Sequence, residues 1–210
     1  MSDNYLKKIR EICDKYNVLL IMDEVVSGFG RTGKMFGYEN WGIKADIFTF
    51  AKGMASGYMP IAATVVKQNI FEAFYGEVDE LKHFRQVNTY GGHPVACAVS
   101  MKNIEIVQRE NLAENAAKME KYFKATLKEL SDHPYVGEIR GKGLLLGIEL
   151  VEDKNSKKPL DIFKANKILQ NCLKRKVSLM RNVNTVPGLG NILIIAPPLI
   201  ISESEADQIV

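Results

Sequence analysis

The most constraining feature of this chain is an unbroken apolar run, Val18-Leu19-Leu20-Ile21-Met22, that closes on the acidic pair Asp23-Glu24. A run that is apolar at every position, not at every second one, fits a strand covered on both faces, as in a parallel sheet. A second run, Ile47-Phe48-Thr49-Phe50-Ala51, closes on Lys52-Gly53, and a third covers Ile61 to Val66. A glycine-rich loop from Gly28 to Gly37 and an aromatic turn through Trp41 separate the first two runs. Upstream, Leu6, Ile9, Ile12 and Cys13 fall on one helical face. Apolar strands alternating with amphipathic helices define an α/β fold.

Further along, Ile70 to Phe74 reads as a short helix, and Pro94 opens a long one, since proline is tolerated in the first helical turn. A third helix runs from about Leu112 to Leu130 and is broken by Asp132-His133-Pro134. The texture then changes. Val136 to Leu150 reads as two strands joined at Gly141-Lys142-Gly143, Ile162 to Lys176 as an amphipathic helix, Ile192 to Ala196 as a last strand, and Glu203 as the start of a final helix. The expected organisation is therefore an α/β part over residues 1–130 and a smaller α+β part over 131–210. Both ends read as cuts in a longer protein. Hydrophobic residues make up 46% and charged residues 25%, which excludes a disordered chain. A formal net charge of +3 is too mild to imply nucleic acid or an anionic membrane as partner. The cysteines, Cys13, Cys97 and Cys172, are three and far apart, and the N-terminal stretch lacks an apolar core, so a reduced, cytoplasmic setting is expected.

Two chemistries compete for the first strand and its loop. Gly28-Phe-Gly-Arg-Thr-Gly33-Lys34 matches most of a phosphate-binding loop, but Met35 stands where a magnesium-binding hydroxyl belongs, and Asp23 to Ser27 separate the loop from its strand. The other reading joins Asp23 to Lys52. Each follows an apolar run, at the carboxyl edge where open α/β sheets bind ligands. A lysine desolvated beside Phe50 and Ala51 keeps more of its amine free, as a Schiff base with an aldehyde requires. A nearby aspartate can hold a protonated pyridine nitrogen. Spacing alone leaves open the plainer alternative, a loop-capping Asp23 and a solvated Lys52.

The wording of the sequence favours the lysine. Asp23-Glu-Val-Val-Ser-Gly-Phe-Gly-Arg-Thr-Gly-Lys34, Asp46-Ile-Phe-Thr-Phe-Ala-Lys52-Gly, Asn88-Thr-Tyr-Gly-Gly-His-Pro-Val-Ala-Cys97, Ile139-Arg-Gly-Lys-Gly-Leu-Leu-Leu-Gly-Ile-Glu149 and Ala196-Pro-Pro-Leu-Ile-Ile-Ser-Glu-Ser-Glu205 follow one another in order. Together they resemble the class III aminotransferases, pyridoxal-phosphate enzymes of fold type I. The resemblance spans essentially the whole chain. It implies part of a mixed, mostly parallel large-domain sheet followed by an incomplete small domain.

By that resemblance Lys52 binds pyridoxal 5'-phosphate through a Schiff base and then moves the substrate proton. Asp23 pairs with the pyridine nitrogen, and Val25 packs on one ring face. Thr89 reaches the phosphate of a cofactor held in the neighbouring subunit of a homodimer, so the sites are shared. Arg181 is a candidate for the substrate carboxylate, because a guanidinium fork binds carboxylate at two points. Arg31 and Arg140 read as structural, His93 as a residue opening a helix, and His83 and His133 as surface positions. His-Pro-Val-Ala-Cys at residues 93–97 leans toward enzymes that move an amino group from an amine or ω-amino acid to pyruvate. The family's phosphate-binding glycine turn and its ring-stacking aromatic residue precede Tyr5 and are not in this sequence. Two alternatives follow: a non-catalytic truncated fragment, or an amino mutase or racemase using the same lysine and aspartate.

Overall fold

In the computed structural model, residues 4–183, 186 and 188–210 are described. They form two compact units, Met1–Asn111 and Leu112–Val210.

The first unit opens with α1 (Tyr5–Tyr16), which ends on Asn17 in a left-handed conformation, φ 52°. An asparagine tolerates that geometry and so terminates the helix. β1 (Ile21–Asp23) and β2 (Ile47–Phe50) pair in parallel, with Ile21 opposite Ile47 and Asp23 opposite Thr49. β3 (Ala63–Val66) adds to β2 in antiparallel register, giving a mixed three-stranded sheet of order β1-β2-β3. α2 (Gln68–Glu72) is a short helix, and α3 (Pro94–Arg109) is the long helix that Pro94 starts. Five aromatic rings, Phe29, Phe36, Tyr38, Phe48 and Phe50, pack on one another at centroid distances of 4.8–6.0 Å.

The first strand departs from expectation. It spans three residues, and Val18, Leu19 and Ile21 are each more than half exposed. β1 is the edge strand of the described sheet, paired only with β2. Apolar patterning records how much cover a strand calls for, not which elements supply it.

Asp46, buried at the head of β2, braces this unit. Its carboxylate accepts from the Leu20 N–H at 2.8 Å, Lys67 Nζ at 2.6 Å and Arg10 NH1 at 2.7 Å. Those donors, the Leu20 N–H first, hold its pKa far below the usual carboxylate range against the opposing effect of burial.

In the second unit, α4 (Leu112–Thr126) runs into a 3-10 turn over Leu127–Asp132. β4 (Val136–Lys142), β5 (Leu145–Asp153), β6 (Lys158–Pro159), α5 (Ile162–Lys174), β7 (Met180–Arg181), β8 (Ile192–Ile195) and α6 (Glu203–Asp207) follow. The sheet is antiparallel, in the order β4-β5-β8-β7, with β6 beside β5. Alternate residues of β5, Leu146, Ile148 and Leu150, face a core that includes Met119 and Phe123 of α4. The helix read from sequence as the tail of the first part therefore packs within the second unit. Asp161 caps α5 by accepting from the Phe163 N–H at 2.9 Å.

Candidate active site

The parallel register of β1 and β2 brings their carboxyl ends to the same edge. Asp23 is the last residue of β1. Its Oδ1 accepts from the Val25 N–H at 2.9 Å and from Thr49 Oγ1 at 3.1 Å. The two bonds fix the plane of the carboxyl group, and neither uses Oδ2. Asp23 is exposed, and Val25 is half-buried beside it.

Lys52 begins a single 3-10 turn, Lys52–Met54, separated from β2 by Ala51 alone. Its φ is 40°, in the left-handed region. For a residue with a side chain this conformation costs roughly 1–2 kcal/mol and persists only where the surroundings hold it. Here the Met54 N–H donates to Ala51 O at 2.9 Å and the Ala55 N–H to Lys52 O at 3.2 Å. The next residue, Gly53, is tightly approached: a Cβ there would lie 3.3 Å from Phe29 Cβ, closer than most such contacts. The side-chain amide of Asn103, on α3, donates to the carbonyls of Gly53 and Met54.

The loop between β1 and β2 is tied down by Glu24, which is 1% exposed. Its Oε2 accepts from Ser27 Oγ at 2.6 Å and the Gly37 N–H at 2.8 Å, and its Oε1 from the Tyr38 N–H at 2.7 Å. Those bonds fold the loop over the aromatic cluster and set Phe29 against the lysine turn. No α-helix follows Gly33-Lys34; turns lead instead into a 3-10 stretch over Gly37–Trp41. A phosphate-binding loop needs a helix N-terminus there, so the glycines serve a tight structural loop. Arg31 is half-buried within it, and burial lowers its pKa.

One expectation fails. Phe50 and Ala51 do not strip water from Lys52, which is exposed in this chain. Phe50 turns instead into the aromatic cluster, against Phe29 and Phe36. Thr89 stands on an exposed turn closed by the Gly91 N–H donating to Asn88 O at 2.9 Å. His93 occupies the N-cap position of α3 without a side-chain capping bond. Arg181 lies in the second unit. Its Nε donates to Asn166 Oδ1 at 3.2 Å, and its NH1 to the carbonyls of Asn182 and Gly190, each at 2.9 Å. Most of its fork fastens the chain between β7 and β8. Among the described residues no cluster of three or more His, Cys, Asp or Glu could hold a metal ion, and no helix is long and apolar enough to cross a membrane.

Sequence reasoning passed over Thr49, Glu24 and Asn103. Thr49 carried a usable signal as the one polar residue within an apolar strand. Glu24 and Asn103 carried none, because their roles depend on which distant backbone groups face them.

An α/β unit that places an oriented aspartate and a lysine at the carboxyl ends of neighbouring parallel strands has the arrangement expected of a carbonyl-cofactor enzyme. The family model for class III aminotransferases matches residues 1–210, and the chain belongs to that family. It is 43% identical over 208 residues to a taurine–pyruvate aminotransferase of Bilophila wadsworthia, covering 98% of this chain and 46% of the relative. A Bacillus anthracis aminotransferase structure superposes with a TM-score of 0.96 at 48% identity, covering 99% of this chain and 46% of that one. An amine transaminase from an uncultivated Pseudomonas species, described in its PLP-bound form, superposes with a TM-score of 0.91 at 37% identity, again over 99% and 46%. The chain spans about half the length of the curated relatives it matches.

Proposed function

We propose that this chain is part of a pyridoxal-phosphate-dependent transaminase that moves an amino group from an amine or ω-amino acid to a 2-oxo acid such as pyruvate. One observation carries the reading: a lysine in a strained left-handed conformation stands at the carboxyl end of β2, beside an aspartate that two hydrogen bonds orient at the end of the parallel β1. Among the described residues, seven other non-glycine residues also have a positive φ, so what counts is where this one stands, at the end of a strand beside the ligand-binding edge of the sheet. The family membership supports the same reading.

The residues fit the cofactor chemically. A primary amine is available at Lys52, a carboxyl oxygen uninvolved in the Val25 and Thr49 bonds at Asp23, and an apolar surface at Val25. Pyridoxal phosphate bound there would supply an aldehyde carbon for the amino group and a ring that withdraws electrons. Asp23 would keep a proton on the pyridine nitrogen, and Val25 would cover one face of the ring. The Lys52 amine would take the proton from the substrate carbon that bears the amino group and deliver it to the cofactor's aldehyde-derived carbon, on the other side of the shared nitrogen.

In this reading the working protein is a cytoplasmic homodimer with shared sites, in which Thr89 serves the cofactor phosphate of the neighbouring subunit. The exposure of its turn supports that role, since Val87 and Tyr90 on either side are 88% and 82% exposed. The three cysteines are all unpaired, which supports a reduced compartment. Arg181 remains the candidate for an acidic substrate group. With Nε and NH1 engaged, it would offer NH2 alone, a one-point contact.

The test is donor-dependent formation of alanine from pyruvate, with taurine, β-alanine and a simple primary amine compared. The reading expects transfer that is lost in Lys52→Ala. Amino-group migration within one substrate, or racemisation with no pyruvate consumed, would contradict it.

A further inference from the structure

The left-handed Lys52 needs something to hold it, and the turn's own hydrogen bonds are only part of the answer. Asn103 supplies the rest from a distance of fifty residues in sequence. Its Nδ2 donates to Gly53 O at 2.8 Å and to Met54 O at 3.2 Å. Because both partners are carbonyl oxygens, the amide can face them only with its nitrogen, so the orientation of the side chain is fixed. The two carbonyls are the first two after the lysine. Holding both fixes the path of the turn that follows Lys52, and with it the Ala55 N–H that bonds Lys52 O. On α3 the buried residues Ala96, Ser100 and Val107 share a face with Asn103, and two of them are small enough to let the helix approach the turn closely. Opposite, Phe29 closes on Gly53. The turn is thus clasped between the loop and the helix, and the helix contributes the directional contact.

We propose that Asn103 is a positioning residue for Lys52: by holding the Gly53 and Met54 carbonyls it keeps the lysine turn in the strained conformation that aims the amine at the cofactor edge. This rests on the reading of Lys52 as the reacting amine. Asn103 touches neither substrate nor cofactor in this role. It acts only through the backbone that follows the lysine.

The experiment uses the full chain with Asn103→Ala, Asn103→Asp and Asn103→Gln. Aspartate keeps the shape but presents oxygens to two carbonyl oxygens, whereas glutamine keeps the donor on a longer arm. Hydrogen exchange over residues 51–56 needs no cofactor. Loss of two modest hydrogen bonds predicts exchange about 10- to 100-fold faster there in the alanine and aspartate variants, with the rest of α3 protected as before. The second readout is the rate at which pyridoxal phosphate becomes fixed on Lys52 by borohydride, followed by peptide mass. It is expected to fall about tenfold or more in the alanine and aspartate variants and to recover in part with glutamine. Unchanged exchange at 51–56 overturns the proposal, as does faster exchange with an unchanged labelling rate, since Asn103 would then be a structural clasp only. Failure of the unmodified protein to label at Lys52 at all overturns the proposed function itself, and the positioning role with it. That outcome is told apart from a failure of Asn103 alone, in which the unmodified protein labels and the variants label equally well.

Discussion

Replacing Glu24 offers a sharp test of how the site is held, because the structure distinguishes two substitutions that a surface acid would not. Glu24→Ala removes three accepted hydrogen bonds and leaves the Gly37 and Tyr38 N–H groups without their acceptor. Each unsatisfied buried donor costs about 1–3 kcal/mol, so the loss is about 4 kcal/mol in all. Glu24→Gln preserves size but not pattern. Both carboxyl oxygens accept from backbone N–H groups, so the amide nitrogen must face one of those donors whichever way it turns. The Ser27 hydroxyl can rotate to accept from it, but a backbone N–H cannot. Glutamine is therefore expected to cost about 2–3 kcal/mol, well above an isosteric surface change. The assay is urea unfolding followed by the fluorescence of Trp41, the single tryptophan, which ends the 3-10 stretch that Glu24 anchors. With a slope of about 2 kcal/mol per molar urea, the midpoint should fall by about 1 M for glutamine and about 2 M for alanine. A glutamine variant within about 0.5 kcal/mol of the unmodified protein would refute the argument that both oxygens are needed as acceptors.

Two further perturbations follow from the same contacts. Asp46→Asn should cost about 3 kcal/mol at neutral pH, the lower end for a buried ion pair because Lys67 is half in water. The folded pKa of Asp46 is depressed, so its contribution is complete above the unfolded value of about 3.9 and drains away as pH falls through the folded value. The gap between the two proteins in urea titrations should be flat from about pH 5 to 8 and shrink below about pH 4. A gap that widens on acidification would be the wrong sign. In the second unit, Phe123 is fully buried among Met119, Leu146 and Ile148, and Phe123→Ala should cost about 3–5 kcal/mol, read as a drop in the helical circular dichroism midpoint.

The legible part of this chain was what depends on local pattern. Pro94 marked the first residue of α3, Asp23 the last residue of β1, and Lys52 the second residue past β2, because helix starts and strand ends are written in single residues. The apolar run from Val18 was read as buried on both faces, yet it lies at a sheet edge, since cover comes from elements that sequence periodicity does not name. The same limit explains Lys52. Its position could be read, but its left-handed backbone and its exposure depend on Phe50 turning toward Phe29 and on Asn103 reaching across from α3. Glu24 was visible only as the second half of an acidic pair. Nothing local separates the acid that faces solvent from the one that organises a buried loop.

The most direct test of the central claim, that Lys52 is the amine of a pyridoxal-phosphate site oriented by Asp23, is borohydride reduction in the presence of pyridoxal phosphate followed by peptide mapping. The account predicts one reduced adduct, on the peptide that carries Lys52, absent in Lys52→Ala and weakened in Asp23→Ala. Adducts scattered over the other lysines, or an adduct elsewhere that persists in Lys52→Ala, would contradict it.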